Sequence, residues 1–210
     1  IYKIECLFLK ISITNKNHYN TITKMSELNA TENTQLINKG SGAGGANTNV
    51  TGLGFERVTD MGEMDNSTRL QKAQLFKFMN EHGYIQNENY KNSKKLAHGC
   101  KQPDEAYLFP NEKILFIIEK KFQQGSGSVA EKLQTGPFKK QFYQKIYPTV
   151  HICYIYVLST YFKTNCPVEL EYLSENSIPY YFEDDNIVTT VKNFINKYRT
   201  EYTHITNSSL

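Results

Sequence analysis

Cysteine is scarce and scattered in this chain: 210 residues hold four, at Cys6, Cys100, Cys153 and Cys166. No two of them form a CxxC pair, which argues against a zinc knuckle or a compact disulfide framework and suggests a reducing, cytoplasmic location. His98 and Cys100 lie close together, but without a second pair of ligands they read as ordinary residues. Long apolar runs are missing as well. The run Ile114 to Ile118 is strand-sized and flanked by charge, whereas a membrane span needs about 20 apolar residues, so no membrane insertion is expected. The opening segment, Ile1 to Lys24, has an apolar patch from Cys6 to Leu9 but carries Lys3, Glu5 and Lys10 and no small-residue cleavage site. It does not read as a signal peptide. Since a polar stretch follows Met25, residues 1–24 are expected to be dispensable for the fold. No internal repeat is visible. Nor does either sign of charge dominate: 24 Lys+Arg against 21 Asp+Glu leaves +3, which permits a nucleic-acid partner without requiring one.

What is present is ample core material, since 39% of the residues are hydrophobic and 15 Tyr and 12 Phe are among them; a disordered chain would be poor in such residues. Residues 1–49 form a flexible N-terminal arm on this reading, polar and then glycine-rich at Gly40–Gly45, and residues 50–210 form one domain. A short helix is expected to begin near Leu53, Glu56 and Val58, and a second to run from Ser67 to His82, capped by Gly83. Glu105 to Phe109 and Ile114 to Ile118 read as a hairpin joined by the turn Pro110–Lys113. A helix capped by Ser126 or Ser128 should reach Lys145 in two pieces, because Gly136-Pro137 interrupts it. Val150 to Leu158 reads as a further central strand, Glu169 to Leu173 and Ile178 to Phe182 as shorter ones, and Thr189 to Tyr198 as a closing helix. The order predicts an α/β fold with a mixed sheet flanked by helices.

Chemistry concentrates at Pro103-Asp104 and, after fourteen intervening residues, Glu119-Lys120-Lys121. Strand alternation puts Glu119 and Lys121 on one face and Lys120 on the other. If Asp104 opens the partner strand, its carboxylate reaches the same end of the sheet. Two close carboxylates repel, and a hard divalent cation with oxygen ligands, magnesium above all, offsets that cost. Such an ion polarises a phosphoryl oxygen and acidifies bound water, while an adjacent lysine orients the attacking hydroxide or stabilises phosphate charge.

These residues resemble the PD-(D/E)xK nucleases, with Asp104, Glu119 and Lys121 in the places of the family's Asp, Glu and Lys. The resemblance spans about Gly52 to Leu158 and implies a restriction-endonuclease-like core. It also implies a further acidic metal ligand on an early helix, for which Glu56 stands, and a glutamine on the helix after the catalytic strand, either Gln134 or Gln141, with Gln141 and nearby Tyr143 preferred. Asp104, Glu119 and Glu56 would then bind Mg2+. The chain's size is most similar to that of a type II restriction endonuclease, a homodimer that cuts double-stranded DNA and leaves 5′-phosphates. Ser126, Ser128 and Lys132 are candidate phosphate contacts at the start of a helix, and Lys139, Lys140 and Gln141 belong to a stretch suited to reading bases. A junction or repair nuclease of the same fold, and a catalytically silent DNA-binding module, remain as alternatives.

Other patterns carry less. Gly40–Gly45 satisfies GxGxxG, but no buried strand precedes it and no Gly-Lys-Ser/Thr follows, so neither a dinucleotide nor a phosphate loop is expected. Tyr154, Tyr156, Tyr161, Tyr180 and Tyr181 read as strand packing rather than as a stacking platform for bases.

Overall fold

The computed structural model describes residues 46–91, 102–125 and 127–208. Most of the expected arm, the glycine motif at 40–45, His98, Cys100 and Ser126 lie outside them. Within them a five-stranded sheet has the order β1-β2-β3-β4-β5, built from Thr68–Leu70, Glu105–Phe109, Ile114–Lys121, His151–Leu158 and Tyr180–Phe182. The first two pairings are antiparallel and the last two parallel, so the sheet is mixed as expected. Helices cover both faces. They are α1 (Ala46–Val58), α2 (Ala73–Glu81), α3 (Gly136–Ile146), α4 (Tyr161–Asn165), α5 (Pro167–Glu175) and α6 (Ile187–Asn207), with a short 3-10 helix at Ala130–Thr135 before α3.

β3 lies at the centre because its apolar residues leave neither face fit for water: every position from Ile114 to Lys120 is buried. Alternation sorts its side chains into two cores. Leu115 and Ile117 join Ala106, Leu108, Tyr154 and Tyr156 against Leu75, Leu133, Tyr143 and Leu173 of the helical side that includes α2, α3 and α5. Phe116 and Ile118 join Tyr107, Phe109 and Ile155 against Phe55 of α1 and Val191 and Ile195 of α6. The hairpin turn closes at Lys113, which adopts a positive φ of 56°; only the tightness of the loop justifies that conformation for a branched-free side chain.

Helix α3 approaches β4 closely at its first residue. A Cβ on Gly136 would stand 2.8 Å from Cε2 of Tyr156 and 3.1 Å from Ile178, so glycine is what admits the helix there. Pro137 occupies the first turn, where its missing N–H costs nothing. The helix is thus in two pieces, as the sequence suggests, but Ser128 does not cap it: the 3-10 helix follows Val129 with no side-chain cap.

Four expectations are corrected. Glu169 to Leu173 is not a strand; it belongs to α5, whose Pro167 and first-turn Glu169 are helix-start signals and whose buried Leu170 and Leu173 follow helical spacing. The helix expected from Ser67 is split, because Thr68–Leu70 pairs with β2 as an edge strand, and Lys72 with φ 48° breaks the path before α2 begins. Near Leu53 a helix does not begin but nears its end, α1 having started at Ala46, ahead of the boundary expected at residue 50. The closing helix is also longer than Thr189 to Tyr198. Gly83, with φ 75°, terminates α2 as foreseen.

Candidate active site

The apolar run of β3 ends at Glu119, and there the hairpin becomes polar on both faces. On the face covered by α3, Glu119 is 6% exposed. Two ammonium groups reach its Oε1: Lys121 Nζ at 2.5 Å and Lys139 Nζ at 2.8 Å. Lys121 also donates to the carbonyl of Lys120 at 3.0 Å. Asp104 lies one residue beyond the last pairing of the hairpin, Glu105 opposite Ile118, and the Lys120 N–H seats it by donating to Oδ2 at 2.7 Å.

Electrostatics tie these groups into one site. Burial pushes the Asp104 carboxyl above its usual range, the charge of Glu119 adds to that and Glu56 contributes further, while Lys121 and the Lys120 amide pull it back. Asp104, Glu119 and Lys121 therefore lie at the same end of the β2–β3 hairpin, close enough for their charges to act on one another.

Glu56 is the exception. It sits on α1, which packs on the opposite face, and its side chain is exposed. With Asp104 it lines a cavity of about 300 Å³ that also takes in Asp60, Lys72 and Lys120. Among the described residues no group of three or more His, Cys, Asp or Glu side chains is arranged to hold a metal ion. Of the three expected carboxylate ligands, Asp104 and Glu56 line this cavity together, and Glu119 pairs with Lys139 of α3.

Lys120, as expected, points the other way. It pairs with buried Glu105 and donates to the backbone carbonyl of Glu56 at 3.2 Å, closing the last turn of α1. Glu105 further accepts from Tyr107 Oη at 2.5 Å, from Arg69 at 3.3 Å and from the Met61 amide at 3.3 Å. This second cluster fastens α1 and β1 to the hairpin.

The residues expected to touch DNA divide. Lys139 is 7% exposed and turned onto Glu119. Ser128 and Lys132 are exposed where the chain enters α3. Lys140 and Gln141 line a separate groove of about 1110 Å³ with Gln144 and His151, and His151 marks the end of β4 opposite Glu119. Gln134 is exposed on the 3-10 helix. Neither glutamine reaches the carboxylates; the helix sends Lys139 instead. The signal for that was present, since a lysine on the same helical face as Tyr143 and Ile146 is directed inward. Tyr154 and Tyr156 are fully buried packing residues, as read from the sequence.

Compared with protein-family models, with curated proteins and with solved structures, the chain finds no match. Among the described residues no helix is long and apolar enough to cross a membrane.

Proposed function

We propose that the chain is a magnesium-dependent nuclease of the PD-(D/E)xK type that hydrolyses phosphodiester bonds of double-stranded DNA in the cytoplasm, in the manner of a type II restriction endonuclease. One observation carries the reading: Asp104 and Glu119 lie at the same hairpin end as Lys121, whose ammonium stands 2.5 Å from Glu119. The donor set suits a hard divalent cation, because both carboxylates offer oxygen and the Asp104 carboxyl is raised by burial first and by the charge of Glu119 second, both of which a nearby cation offsets.

Asp104 and Glu119 would hold the ion. Bound there, Mg2+ supplies Lewis acidity toward a phosphoryl oxygen and a more acidic water. Lys121 orients the attacking water and donates to the non-bridging oxygens as their charge grows. The water oxygen bonds to phosphorus, the bond from phosphorus to O3′ breaks, and a proton reaches the departing oxygen, leaving a 5′-phosphate and a 3′-hydroxyl. Ser128 and Lys132, both exposed before α3, would meet the DNA backbone. A homodimer would match a two-fold symmetric DNA site with one such centre for each strand.

Incubating the purified chain with plasmid DNA, with Mg2+ or with chelator, tests this directly beside Lys121→Ala. Discrete Mg2+-dependent fragments, lost in Lys121→Ala, are the expected result. Cleavage only at branched or damaged substrates points to the junction or repair alternative. Binding with no cleavage under any condition refutes the enzymatic reading.

A further inference from the structure

Lys139 has no role in the chemistry described above, yet the fold goes to some length to bury it. Gly136 lets α3 approach β4, and one turn later Lys139 extends inward with 7% of its surface exposed. A buried ammonium needs a carboxylate close by, and Lys139 has Glu119 Oε1 at 2.8 Å. Lys121 occupies the same oxygen at 2.5 Å. Two ammonium groups on a single carboxylate oxygen overcompensate its charge, and Asp104 brings the four groups to neutrality before any ion arrives.

The two lysines differ in how they are held. Lys121 is fixed two residues from Glu119 on one strand and is also bonded to the Lys120 carbonyl. Lys139 comes from a separate element and stands where further positive charge at Glu119 would be repelled. We propose that Lys139 is a resident counter-cation that competes with the divalent ion for Glu119, so that it weakens metal binding in the absence of DNA. This rests on the nuclease reading of the same site. Lys139 acts through Glu119 and is a positioning residue, not a catalytic one. Repulsion between an ammonium and a divalent ion a few ångströms apart suffices, even when mostly screened, for an effect of about tenfold.

Calorimetric titration of the full chain with Mg2+, without DNA, tests the competition in wild type, Lys139→Met, Lys139→Gln and Lys139→Arg. Uncharged variants should bind Mg2+ about tenfold more tightly, and Lys139→Arg should match wild type because the charge persists. Equal or weaker binding by the uncharged variants overturns the proposal, while binding by wild type leaves the nuclease reading standing. If no form binds Mg2+, both fall. Should the uncharged variants fail to fold in chelator, the lysine Nζ resonances of wild type, with Lys139 assigned from Lys139→Arg, answer the same question. Saturating Mg2+ must shift the Lys139 signal, and an unmoved signal overturns the competition.

Discussion

Two ionic clusters sit back to back at the end of one hairpin, and consecutive residues alternate between them. Glu119 and Lys121 meet Lys139 of α3, with Asp104 at the edge between the two, whereas Glu105, Lys120, Arg69 and Asp60 lie toward α1. In the second cluster each carboxylate has a cationic partner, Lys120 and Arg69 for Glu105 and Arg69 for Asp60. Burial alone would raise Asp60, but the Gly62 amide and the Arg69 guanidinium more than offset it and hold its carboxyl below the usual range. Asp104 goes the opposite way, raised by burial and by Glu119. A carboxylate lowered by its partners suits a structural role, and a carboxyl raised by burial and a like charge has the pattern of a functional-site candidate. The pleat separates the two tasks within a single stretch of sequence.

Adjacent lysines give the largest contrast. Lys120→Ala leaves Glu105 buried beside a lost partner and should cost about 3–5 kcal/mol of stability, seen as a lower denaturant midpoint. Lys121→Ala should change stability little and cut DNA cleavage by about 10²–10³-fold, the scale of losing one transition-state donor. Equal loss of stability in both variants would break the division between the faces.

A smaller effect tests the approach of α3. Gly136→Ala forces its methyl group onto the Tyr156 ring, at a cost of about 1–3 kcal/mol by overpacking. The helix should shift and Lys139 with it, so thermal denaturation should show a lowered Tm. An unchanged Tm would show that the contact yields freely.

The smallest effect concerns the two aspartates and separates them by sign. A raised folded pKa contributes stability only below the unfolded value and loses it as pH rises through the folded one, so at neutral pH ionised Asp104 works against the fold. A lowered one contributes stability above the unfolded value that is lost as pH falls through the folded one, which is the case for Asp60. Melting curves at pH 7 should therefore show Asp104→Asn more stable than wild type and Asp60→Asn less stable. The gap should close as pH falls below the ordinary carboxylate range. The same sign for both variants would remove the distinction.

Much of this was legible in the chain. The hairpin, the strand at Val150 to Leu158, and the placing of Glu119 with Lys121 against Lys120 follow from apolar runs and period-two alternation, which are local signals. What was not legible depended on tertiary context. Thr68–Leu70 becomes a strand only because β2 offers an edge to pair with. The α5 segment alternates well enough to pass for a strand, although Pro167 announced a helix. Glu56 was placed on an early helix correctly, but no sequence pattern says which face of the sheet that helix covers. Lys139 was grouped with Lys140 and Gln141 in a stretch suited to reading bases, yet it is buried on Glu119; its helical phase with Tyr143 and Ile146 was the signal for that burial.

The most direct measurement is Mg2+-dependent cleavage of plasmid DNA by Asp104→Asn, made on protein shown by its melting curve to be at least as stable as wild type. The account predicts no cleavage from that folded protein. Cleavage at the wild-type rate would contradict it, because a site that works without the Asp104 charge is not the one described.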